Sequence, residues 1–351
     1  MISLWDLTLD ELKSFVKGQS WPEYRAKQIR EWMYAGSEDF SAMSNLPRTM
    51  REELEEIAAI SLPKALKTQT ATDGTMKILW ELADGSTVES VLMRYKYGDS
   101  ACLSTQAGCR MNCTFCASAS GGFTRDLTMG EMMGQLLGLE RAAGFKIRRI
   151  VLMGMGEPLN NFDNVIRFLR EVTAKEGLNI SARHISVSTC GIPSKMLELA
   201  KSGLPVTLSV SLHAPDDETR SRLMPINKKY SVDNVIRAAE EYFKITSRRV
   251  SYEYIMIDGV NDSIAHAEML AKKLRGGHVN LIEYNPVKGK DFKSGKNIKK
   301  FEEELVRRGL SVTKRRKLGS GIEAACGQLK QLTVDSRNGV SPPARNLTSS
   351  I

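Results

Sequence analysis

Three cysteines lie within eight residues, in the segment Cys109-Arg-Met-Asn-Cys113-Thr-Phe-Cys116. Thiolates this close together can bind one metal centre, and soft sulfur ligands select zinc, copper or an iron–sulfur cluster. A structural zinc site usually has four ligands in two paired motifs, and the sequence has no second pair of this kind. Three thiolates on a 4Fe-4S cluster leave one iron open to another molecule. The spacing therefore favours such a cluster; the alternatives are a zinc site and a loop whose cysteine spacing is fortuitous.

A fourth cysteine, Cys326, stands alone in the glycine-flanked segment Gly319-Ser-Gly-Ile-Glu-Ala-Ala-Cys326-Gly-Gln-Leu329. The segment follows residues 288–317, which contain 12 Lys/Arg and 4 Asp/Glu and thus supply +8 of the net charge of +9. Nearby cations favour a thiolate, which is the nucleophilic form of cysteine. We therefore predict that Cys326 is a nucleophile; the alternative is a buried structural cysteine.

The basic stretch also predicts a polyanionic partner, of which nucleic acid is the usual one. A solvated helix face with unpaired lysines would look the same in sequence. The composition is that of an ordinary globular protein, with 42 % hydrophobic and 26 % charged residues. No apolar run is long enough to span a membrane and the N-terminus does not resemble a signal peptide. Six cysteines are too few for a disulfide scaffold, so we expect a cytoplasmic protein.

Two regions precede the cysteine loop. Residues 1–62 show helical periodicity and predict a small accessory domain, in which residues 21–30 interleave aromatic with basic side chains. That interleaving suits RNA contact, although amphipathic packing explains it equally well. Residues 63–97 alternate in polarity around Asp84-Gly85 and predict a β-hairpin extension. Glu89 lies in its second strand, where the pattern alone predicts a solvent-facing side chain.

Strand and helix patterns alternate from residue 98 to residue 317. Counting a strand at residues 101–105, there are six strand–helix units, which predict an α/β fold with an open (β/α)6 partial barrel of the TIM type. The remaining strands are predicted at 149–154, 184–189, 206–212, 250–257 and 278–283. The helices are predicted at 128–143, 161–173, 194–202, 232–244, 262–274 and 297–308. Residues 318–334 are predicted to be a flexible segment carrying Cys326, and residues 335–351 a disordered tail.

The C-terminal ends of four of these strands carry polar, small or glycine residues. In parallel α/β sheets the ligand groups lie at that end. A carboxylate, hydroxyl groups and an amide can bind the ammonium, ribose and adenine groups of a nucleoside. A lone histidine such as His213 is more often a core residue, but the joint placement predicts a site. The four strand ends are Met153-Gly-Met-Gly156-Glu157-Pro158, Ser188-Thr-Cys190-Gly191, Ser211-Leu212-His213 and Tyr284-Asn285-Pro286.

Several motifs together resemble the RlmN-type dual-specificity RNA methyltransferases. They are Ala107-Gly-Cys109-x3-Cys113-Thr-Phe-Cys116, Met153-Gly-Met-Gly-Glu-Pro-Leu159, Ser211-Leu-His-Ala-Pro215, Leu223-Met-Pro-Ile-Asn227 and Ala324-Ala-Cys-Gly-Gln-Leu329. The resemblance covers about residues 20–332. It implies a radical S-adenosylmethionine (SAM) enzyme that methylates carbon 2 of an adenosine in 23S ribosomal RNA before ribosome assembly. In some members an anticodon-loop adenosine of transfer RNA is also a substrate.

The resemblance also implies a role for each site residue. Cys109, Cys113 and Cys116 would hold the 4Fe-4S cluster. The residues that would contact SAM are Gly156, Glu157, Ser188, Ser211, Leu212, His213 and Asn285. Cys326 would be methylated by one SAM, and a second SAM would supply a 5′-deoxyadenosyl radical that activates the S-methyl group. Glu89 would accept the adenine proton, and Cys102 would release the product by forming a disulfide with Cys326. A low-potential donor such as flavodoxin or ferredoxin and a monomeric enzyme are expected.

Three alternatives stay open at this stage. A Cfr-type enzyme would methylate carbon 8 of the same ribosomal adenosine; Pro158 after Gly-Met-Gly-Glu favours the carbon-2 branch. A non-catalytic iron–sulfur or zinc RNA-binding protein would not need Cys102, Cys326 and Glu89. A radical SAM enzyme for a small metabolite would not need the basic stretch. Cys190, where many relatives have serine, has no explanation in the sequence.

Overall fold

The structure is a computed structural model that describes residues 1–274, 277–319, 321–330, 332–335 and 339–341. Its first part is a helical module, as predicted. Helix α1 begins with a capping box in which Thr8 and Glu11 satisfy each other's backbone amides. One apolar face of each helix is buried, as Leu12, Ile29 and Leu54 show. The elements are β1 (Ile2–Ser3), α1 (Leu9–Gly18), α2 (Arg25–Tyr34), α3 (Arg48–Ile57) and β2 (Ala58–Ala59), with β1 and β2 paired in parallel.

The predicted hairpin is present, and a further strand precedes it. Strands β3 (Lys64–Thr70), β4 (Met76–Glu81) and β5 (Thr87–Met93) form an antiparallel meander. Strand β5 then pairs with the first barrel strand, β6 (Ser100–Cys102). The extension is therefore part of the barrel's own sheet and not a linker beside it. Because β5 is buried along its whole length, polarity alternation alone could not give the orientation of Glu89.

The barrel follows the predicted order of strands and helices. After β6 come β7 (Gln106–Gly108), β8 (Phe123–Asp126), α4 (Met129–Ala143), β9 (Arg149–Leu152), α5 (Phe162–Thr173), β10 (Ile185–Thr189), α6 (Pro193–Lys201), β11 (Thr207–Ser211), α7 (Asp217–Leu223), α8 (Val232–Thr246), β12 (Val250–Met256), α9 (Ile264–Leu274), β13 (His278–Glu283), α10 (Ile298–Arg307) and β14 (Ser311–Lys314). The ten-stranded sheet has the order β14-β13-β12-β11-β10-β9-β6-β5-β4-β3. Within this sheet the parallel strands are β6, β9, β10, β11, β12, β13 and β14.

The six predicted strand–helix units are confirmed, with two differences at the ends of the barrel. The strand expected at residues 101–105 ends at Cys102, because the chain then turns into β7, which pairs with β8 instead of the main sheet. A seventh parallel strand, β14, closes the far edge and was not predicted. Its sequence, Ser-Val-Thr-Lys, has a single apolar residue within the basic stretch and so lacks a strand pattern.

The barrel interior is lined by small polar residues. In β10 and β11 the register pairs Ser186 with Thr207 and Ser188 with Ser209. These side chains face the interior cavities, while the alternate residues, such as Val187, are buried on the helix side. The alternation of hydroxyl and branched residues thus gives a polar interior and an apolar exterior covered by helices.

The helical module rests on the barrel through buried polar contacts. Arg30 forms a buried ion pair of 2.8 Å with Glu171 of α5. Asp6 accepts a 2.7 Å hydrogen bond from the backbone amide of Gly130, at the start of α4, where a negative charge suits the helix dipole. A Cβ at Gly130 would lie 2.8 Å from Trp5, so glycine permits this close packing.

The predicted disordered tail, residues 335–351, lies mostly outside the described residues. Of the described part, β15 (Thr333–Asp335) and β16 (Gly339–Ser341) pair in antiparallel fashion. The described residues include no helix that is both long and apolar enough to cross a membrane.

Candidate active site

The loop of three cysteines is closed by the β7–β8 pair. The amide of Cys109 donates a 2.8 Å hydrogen bond to the carbonyl of Gly122. Gly108 has φ of 80°, and a Cβ there would lie 2.0 Å from that same carbonyl oxygen. Glycine is therefore required at the point where the loop begins. Arg110 lies over the ring of Phe123 at 3.8 Å from its centroid and holds the loop on the β7–β8 pair.

The three thiols Cys109, Cys113 and Cys116 line one cavity of about 150 Å³ at the C-terminal ends of the strands. Burial raises the pKa of Cys109 to about 12. Burial, followed by the charges of Cys116 and Cys109, also raises the pKa of Cys113. In the described part of the chain, no three side chains of the metal-binding types converge closely enough to hold a single ion. A cavity lined by three thiols fits a four-iron cluster, in which each thiolate would bind a different iron.

Gly156 and Glu157 turn the chain at the end of β9 and line the same cavity. Gly156 has φ of 102°, and a Cβ there would lie 2.6 Å from Cβ of Gln106. The Glu157 carboxylate is buried; its oxygens accept backbone hydrogen bonds from Leu159 (3.0 Å) and Cys190 (2.7 Å). Burial raises the pKa of Glu157, while these bonds oppose the rise. The carboxylate thereby ties the end of β9 to the end of β10.

Ser188, Ser211 and His213 also line this cavity. Burial lowers the pKa of His213 to about 3, so its imidazole is neutral at physiological pH. Its Nδ1 accepts the backbone N–H of Ile255 at 3.1 Å, which leaves the proton on Nε2. The ring edge packs against Phe115 of the cysteine loop, with centroids 5.0 Å apart. His213 is thus both a core residue and a cavity-lining hydrogen-bond donor.

Leu212 differs from its neighbours. Its side chain is fully buried and does not line either of the cavities that contain the cysteines. Its backbone amide donates to the carbonyl of Glu253 and its own carbonyl accepts from Arg220. In the structure it therefore contributes the position of the Ser211–His213 turn and not a side-chain contact.

Arg220, which the sequence did not single out, holds several strand ends together. It is fully buried and donates to the carbonyls of Leu212 (3.0 Å) and Cys190 (2.5 Å) and to Oδ1 of Asn227 (3.0 Å). The motif Leu223-Met-Pro-Ile-Asn227 therefore has a structural reason, because Asn227 positions this guanidinium. The motif pointed to Asn227. No sequence pattern pointed to Arg220, since a buried arginine has no periodicity of its own.

Cys326 lines the cavity of the three thiols and also a second, adjoining cavity of about 40 Å³ that contains Cys102. Both cysteines are free thiols. Burial raises the pKa of Cys102 to about 12. Asn285 lines the second cavity, and its buried Oδ1 has no hydrogen-bond partner among the described residues. An unpaired buried acceptor at the edge of a cavity fits a ligand that donates a hydrogen bond.

The segment of Cys326, predicted to be flexible, is anchored on both sides. The carbonyl of Gly327 accepts from the amide of Ala117 at 2.7 Å, and the carbonyl of Leu329 accepts from the Ser118 hydroxyl at 2.7 Å. The amide of Gly319 donates to Asp73 at 3.0 Å. These bonds place Cys326 beside the cysteine loop, from which it is about 210 residues distant in sequence.

Glu89 is buried, so the solvent-facing orientation predicted from its strand pattern is wrong. Its Oε1 pairs with the buried Lys77 ammonium at 2.9 Å, and its Oε2 accepts from the amide of Lys330 at 2.8 Å. Strand β5 is buried on both faces, which accommodates the ion pair. Glu89 does not line either thiol cavity, but it holds the chain four residues after Cys326.

The basic stretch divides into paired and unpaired cations. On α10, Lys299, Arg307 and Arg308 pair with carboxylates of the same helix, so this part behaves as a solvated helix face. Lys296 and Lys314 pair with Asp258 and Glu283. Several cations on either side of α10 have no ion-pair partner among the described residues: Lys288, Lys290, Lys293, Arg316 and Lys317.

Comparison with known proteins gives a consistent family. Residues 103–270 match the Radical SAM superfamily, and residues 2–60 match the ribosomal RNA large subunit methyltransferase N-terminal domain. The chain is 45 % identical over 343 residues to a probable dual-specificity RNA methyltransferase RlmN of Clostridium tetani, covering 96 % of this chain and 98 % of that one. A protein of the same name from Lachnoclostridium phytofermentans is 46 % identical, with 95 % and 96 % covered.

A solved structure agrees with this similarity. The crystal structure of a radical SAM methyltransferase from Sphaerobacter thermophilus has a TM-score of 0.90 and 42 % sequence identity. The match covers 94 % of this chain and 99 % of that chain. The barrel, the extension strands and the helical module are therefore shared along nearly the whole length.

Proposed function

The chain belongs to the RlmN family of radical SAM RNA methyltransferases, and from this we propose that it methylates carbon 2 of an adenosine in 23S ribosomal RNA. An anticodon-loop adenosine of transfer RNA is a second proposed substrate. The observation that carries the proposal is that Cys326 lines both the cavity of the three thiols and the cavity of Cys102. A cysteine that faces both cavities can accept a methyl group in the larger one, and Cys102 can separate it from the product in the smaller one.

The residues of the larger cavity fit the cofactors of the superfamily, a 4Fe-4S cluster and SAM. Cys109, Cys113 and Cys116 would hold the cluster. Gly156, Glu157, Ser188, Ser211 and His213 line the space beside it and would contact SAM. When bound, these cofactors supply the electron and the 5′-deoxyadenosyl radical. The neutral His213 offers a hydrogen-bond donor on Nε2 without adding a positive charge next to the SAM sulfonium.

Carbon 2 of adenine lies between two ring nitrogens and is electron-poor, so it does not attack a methyl sulfonium directly. We propose that Cys326 first accepts a methyl group from SAM, by ordinary thiolate displacement. The S-methyl carbon, after loss of a hydrogen atom, then adds to adenine. The family resemblance gives Cys326 this role, and the accessible side chain of Cys326 between the two cavities supports it.

Glu89 and Cys102 are proposed to complete the reaction. Glu89 would accept the proton of carbon 2. To do so, its Oε2 would give up the 2.8 Å hydrogen bond that it accepts from the amide of Lys330. Cys102 would release the product by bonding to the sulfur of Cys326 while the bond between that sulfur and the methylene carbon breaks, and the carbon would take up a proton to become the methyl group. The remaining unpaired electron would return to the cluster, and a reductant would restore the disulfide to two thiols. Both thiols line the 40 Å³ cavity, so only a local movement is needed. Because the disulfide must be reduced in every cycle, a reducing cytoplasm and a donor such as flavodoxin or ferredoxin are proposed.

The RNA is proposed to bind across the strand ends through the unpaired cations of the basic stretch. Lys288 and Lys290 follow within five residues of Asn285, which lines the smaller cavity. Gln328, two residues after Cys326, donates a 2.9 Å hydrogen bond to the carbonyl of Pro286 in the same segment. The helical module is proposed to contact RNA as well. A monomer suffices for this arrangement, because the described chain forms the whole cavity. Protein-free 23S RNA, available before ribosome assembly, is the proposed form of the substrate.

The test is reconstitution with iron and sulfide without oxygen, followed by SAM, dithionite and protein-free 23S RNA. Mass spectrometry of the digested nucleosides should show 2-methyladenosine. If 8-methyladenosine forms instead, the enzyme is of the carbon-8 type; if zinc binds and no cluster forms, the chain is an RNA-binding protein.

The salt dependence of RNA binding tests the proposed phosphate contacts. The double variant Lys288→Gln/Lys290→Gln should reduce the slope of log affinity against log salt by about 1.8 if each lysine contacts one phosphate. Lys244→Gln on α8, already paired with Glu241, is the control.

A further inference from the structure

We propose that Arg315 is a positioning residue that stabilises the thiolate of Cys326 and thereby sets the rate at which this cysteine is methylated. The inference rests on the proposed function, in which Cys326 accepts the methyl group. Arg315 directly follows β14, the strand that the sequence did not predict, and its backbone amide continues that strand by donating to Leu281 at 2.8 Å.

The guanidinium of Arg315 reaches the place where the two thiol cavities meet. It lines both cavities, and so does Cys326. The Arg315 side chain is 18 % exposed, which is low for an arginine on a strand edge within a basic stretch. Its neighbour Arg316 is exposed. Of the two consecutive arginines, Arg315 lines both thiol cavities and Arg316 lines the smaller one alone.

Arg315 has few partners for a cation so far from solvent. Both terminal nitrogens lie 3.3 Å from Sδ of Met153, which is a weak acceptor. The nearest carboxylate oxygen, Oε2 of Glu253, is 3.5 Å away. That oxygen is itself buried and has no hydrogen-bond partner among the described residues. A largely buried guanidinium whose carboxylate partner lies as far as 3.5 Å away is only partly compensated, so a thiolate in the same cavity would stabilise both groups.

The electrostatics agree with this geometry. The charge of Cys326 is the largest cause that raises the pKa of Arg315, ahead of Glu253. Arg315 also opposes the rise that burial causes in the pKa of Cys102. The other titratable or charged groups that line the smaller cavity are Tyr95, Cys102, Glu283, Arg316 and Lys317. Those that line the larger cavity are Cys109, Cys113, Cys116, Glu157, Cys190, His213 and Glu253. Among the described residues, Arg315 is the one lysine or arginine that lines the larger cavity, where SAM is proposed to bind.

Methyl transfer from SAM consumes the thiolate that Arg315 stabilises. The thiol proton of Cys326 passes to solvent, and the thiolate attacks the methyl carbon of SAM. A sulfur–carbon bond forms on Cys326, the carbon–sulfonium bond of SAM breaks, and S-adenosylhomocysteine leaves. The negative charge on Cys326 is lost in this step. Glu253 is then the anion nearest to Arg315, so the cation always keeps one partner.

The test measures alkylation of Cys326 by iodoacetamide in the cluster-containing protein without oxygen, from about pH 6 to pH 10, with peptide mass spectrometry. Arg315→Gln should slow the reaction about tenfold near pH 7 and much less near pH 10, where hydroxide forms the thiolate regardless. Arg315→Lys should keep most of the rate. Arg307→Gln, the control, replaces an arginine of the same basic stretch that pairs with Glu304 and lines neither thiol cavity, and it should leave the profile unchanged.

An unchanged profile in Arg315→Gln, or a rate lowered equally at every pH, would overturn the proposal, because a structural defect gives no pH dependence. If Arg315→Gln does not fold, Glu253→Gln takes its place. Removing the competing carboxylate should make Cys326 react at least as fast as in the wild type, and slower alkylation would refute the role of Arg315. The alkylation readout needs no RNA, so a failure of the proposed RNA substrate would leave this result standing.

Discussion

The backbone amide of Ala117 donates a 2.7 Å hydrogen bond to the carbonyl of Gly327. Ala117 follows the third cysteine of the loop, and Gly327 follows Cys326. This bond, together with that from Ser118 to Leu329, fixes the proposed methyl acceptor beside the proposed cluster site. Two segments about 210 residues apart in sequence thus form one reaction chamber.

Replacing either proposed thiol should stop the reaction at a different stage. Cys326→Ala should abolish RNA methylation while the cluster and SAM cleavage persist, because Cys326 is not a cluster ligand in this account. Cys102→Ala should instead accumulate protein covalently attached to RNA, visible as a shifted band on a denaturing gel. Cys190→Ala, a buried thiol that does not line the smaller cavity, is the control and should give no such band. A Cys102→Ala enzyme that turns over without any adduct would contradict the resolving role.

Gly156→Ala should impair SAM binding. The new Cβ would adopt φ near 102° and lie 2.6 Å from Cβ of Gln106, which costs about 1–3 kcal/mol in backbone strain alone. The turn that presents Glu157 would have to shift, and calorimetric titration with SAM should show weaker binding. Gly18→Ala, with no atom within 4 Å of its Cβ, should bind SAM as the wild type does. Equal affinities for the two variants would refute the requirement for glycine.

Arg220→Met should destabilise the barrel by about 3 kcal/mol or more, because it leaves several buried acceptors without a donor. Urea unfolding should show a lower midpoint. Arg222→Met on the same helix replaces an exposed arginine and should change the free energy of unfolding by less than about 0.5 kcal/mol. If both variants unfold at the same urea concentration, the network around Arg220 does not contribute to stability.

His213 should make the protein less stable as the pH falls. Its pKa is about 3 in the folded chain and about 6.5 when unfolded, so between these values the unfolded chain binds more protons. The contribution is fully present above about pH 6.5 and is lost by about 1.4 kcal/mol per pH unit below it. His213→Gln should therefore flatten the dependence of unfolding free energy on pH between 7 and 5. His184→Gln, which replaces an exposed histidine, should not. A slope that is the same in the wild type and in His213→Gln would refute this account.

Much of the barrel was predictable because its strands and helices follow strict periodicities. The cysteine spacing and the strand-end residues were likewise readable from residue types. Glu89 was placed wrongly, because β5 is buried on both faces and its partner Lys77 comes from another strand. Strand β14 was missed for lack of apolar residues, and with it the position of Arg315.

The polar barrel interior had a signal that can be recognised. In Ile185–Thr189 and Thr207–Ser211, serine or threonine alternates with a branched or apolar residue, which is unusual for strands covered by helices. The role of Arg220 had no such signal, because its acceptors are backbone carbonyls that meet only in the folded chain. Contacts of this kind depend on three-dimensional positions that no local pattern contains.

The most direct test of the central claim follows the methyl group itself. The enzyme is first incubated with SAM that carries a fully deuterated methyl group, and the mass of 2-methyladenosine from the product RNA is then measured. Transfer through Cys326 with loss of one hydrogen atom predicts a methyl group that keeps two of its three deuterium atoms. A methyl group that retains all three would mean direct displacement from SAM, and would contradict the account.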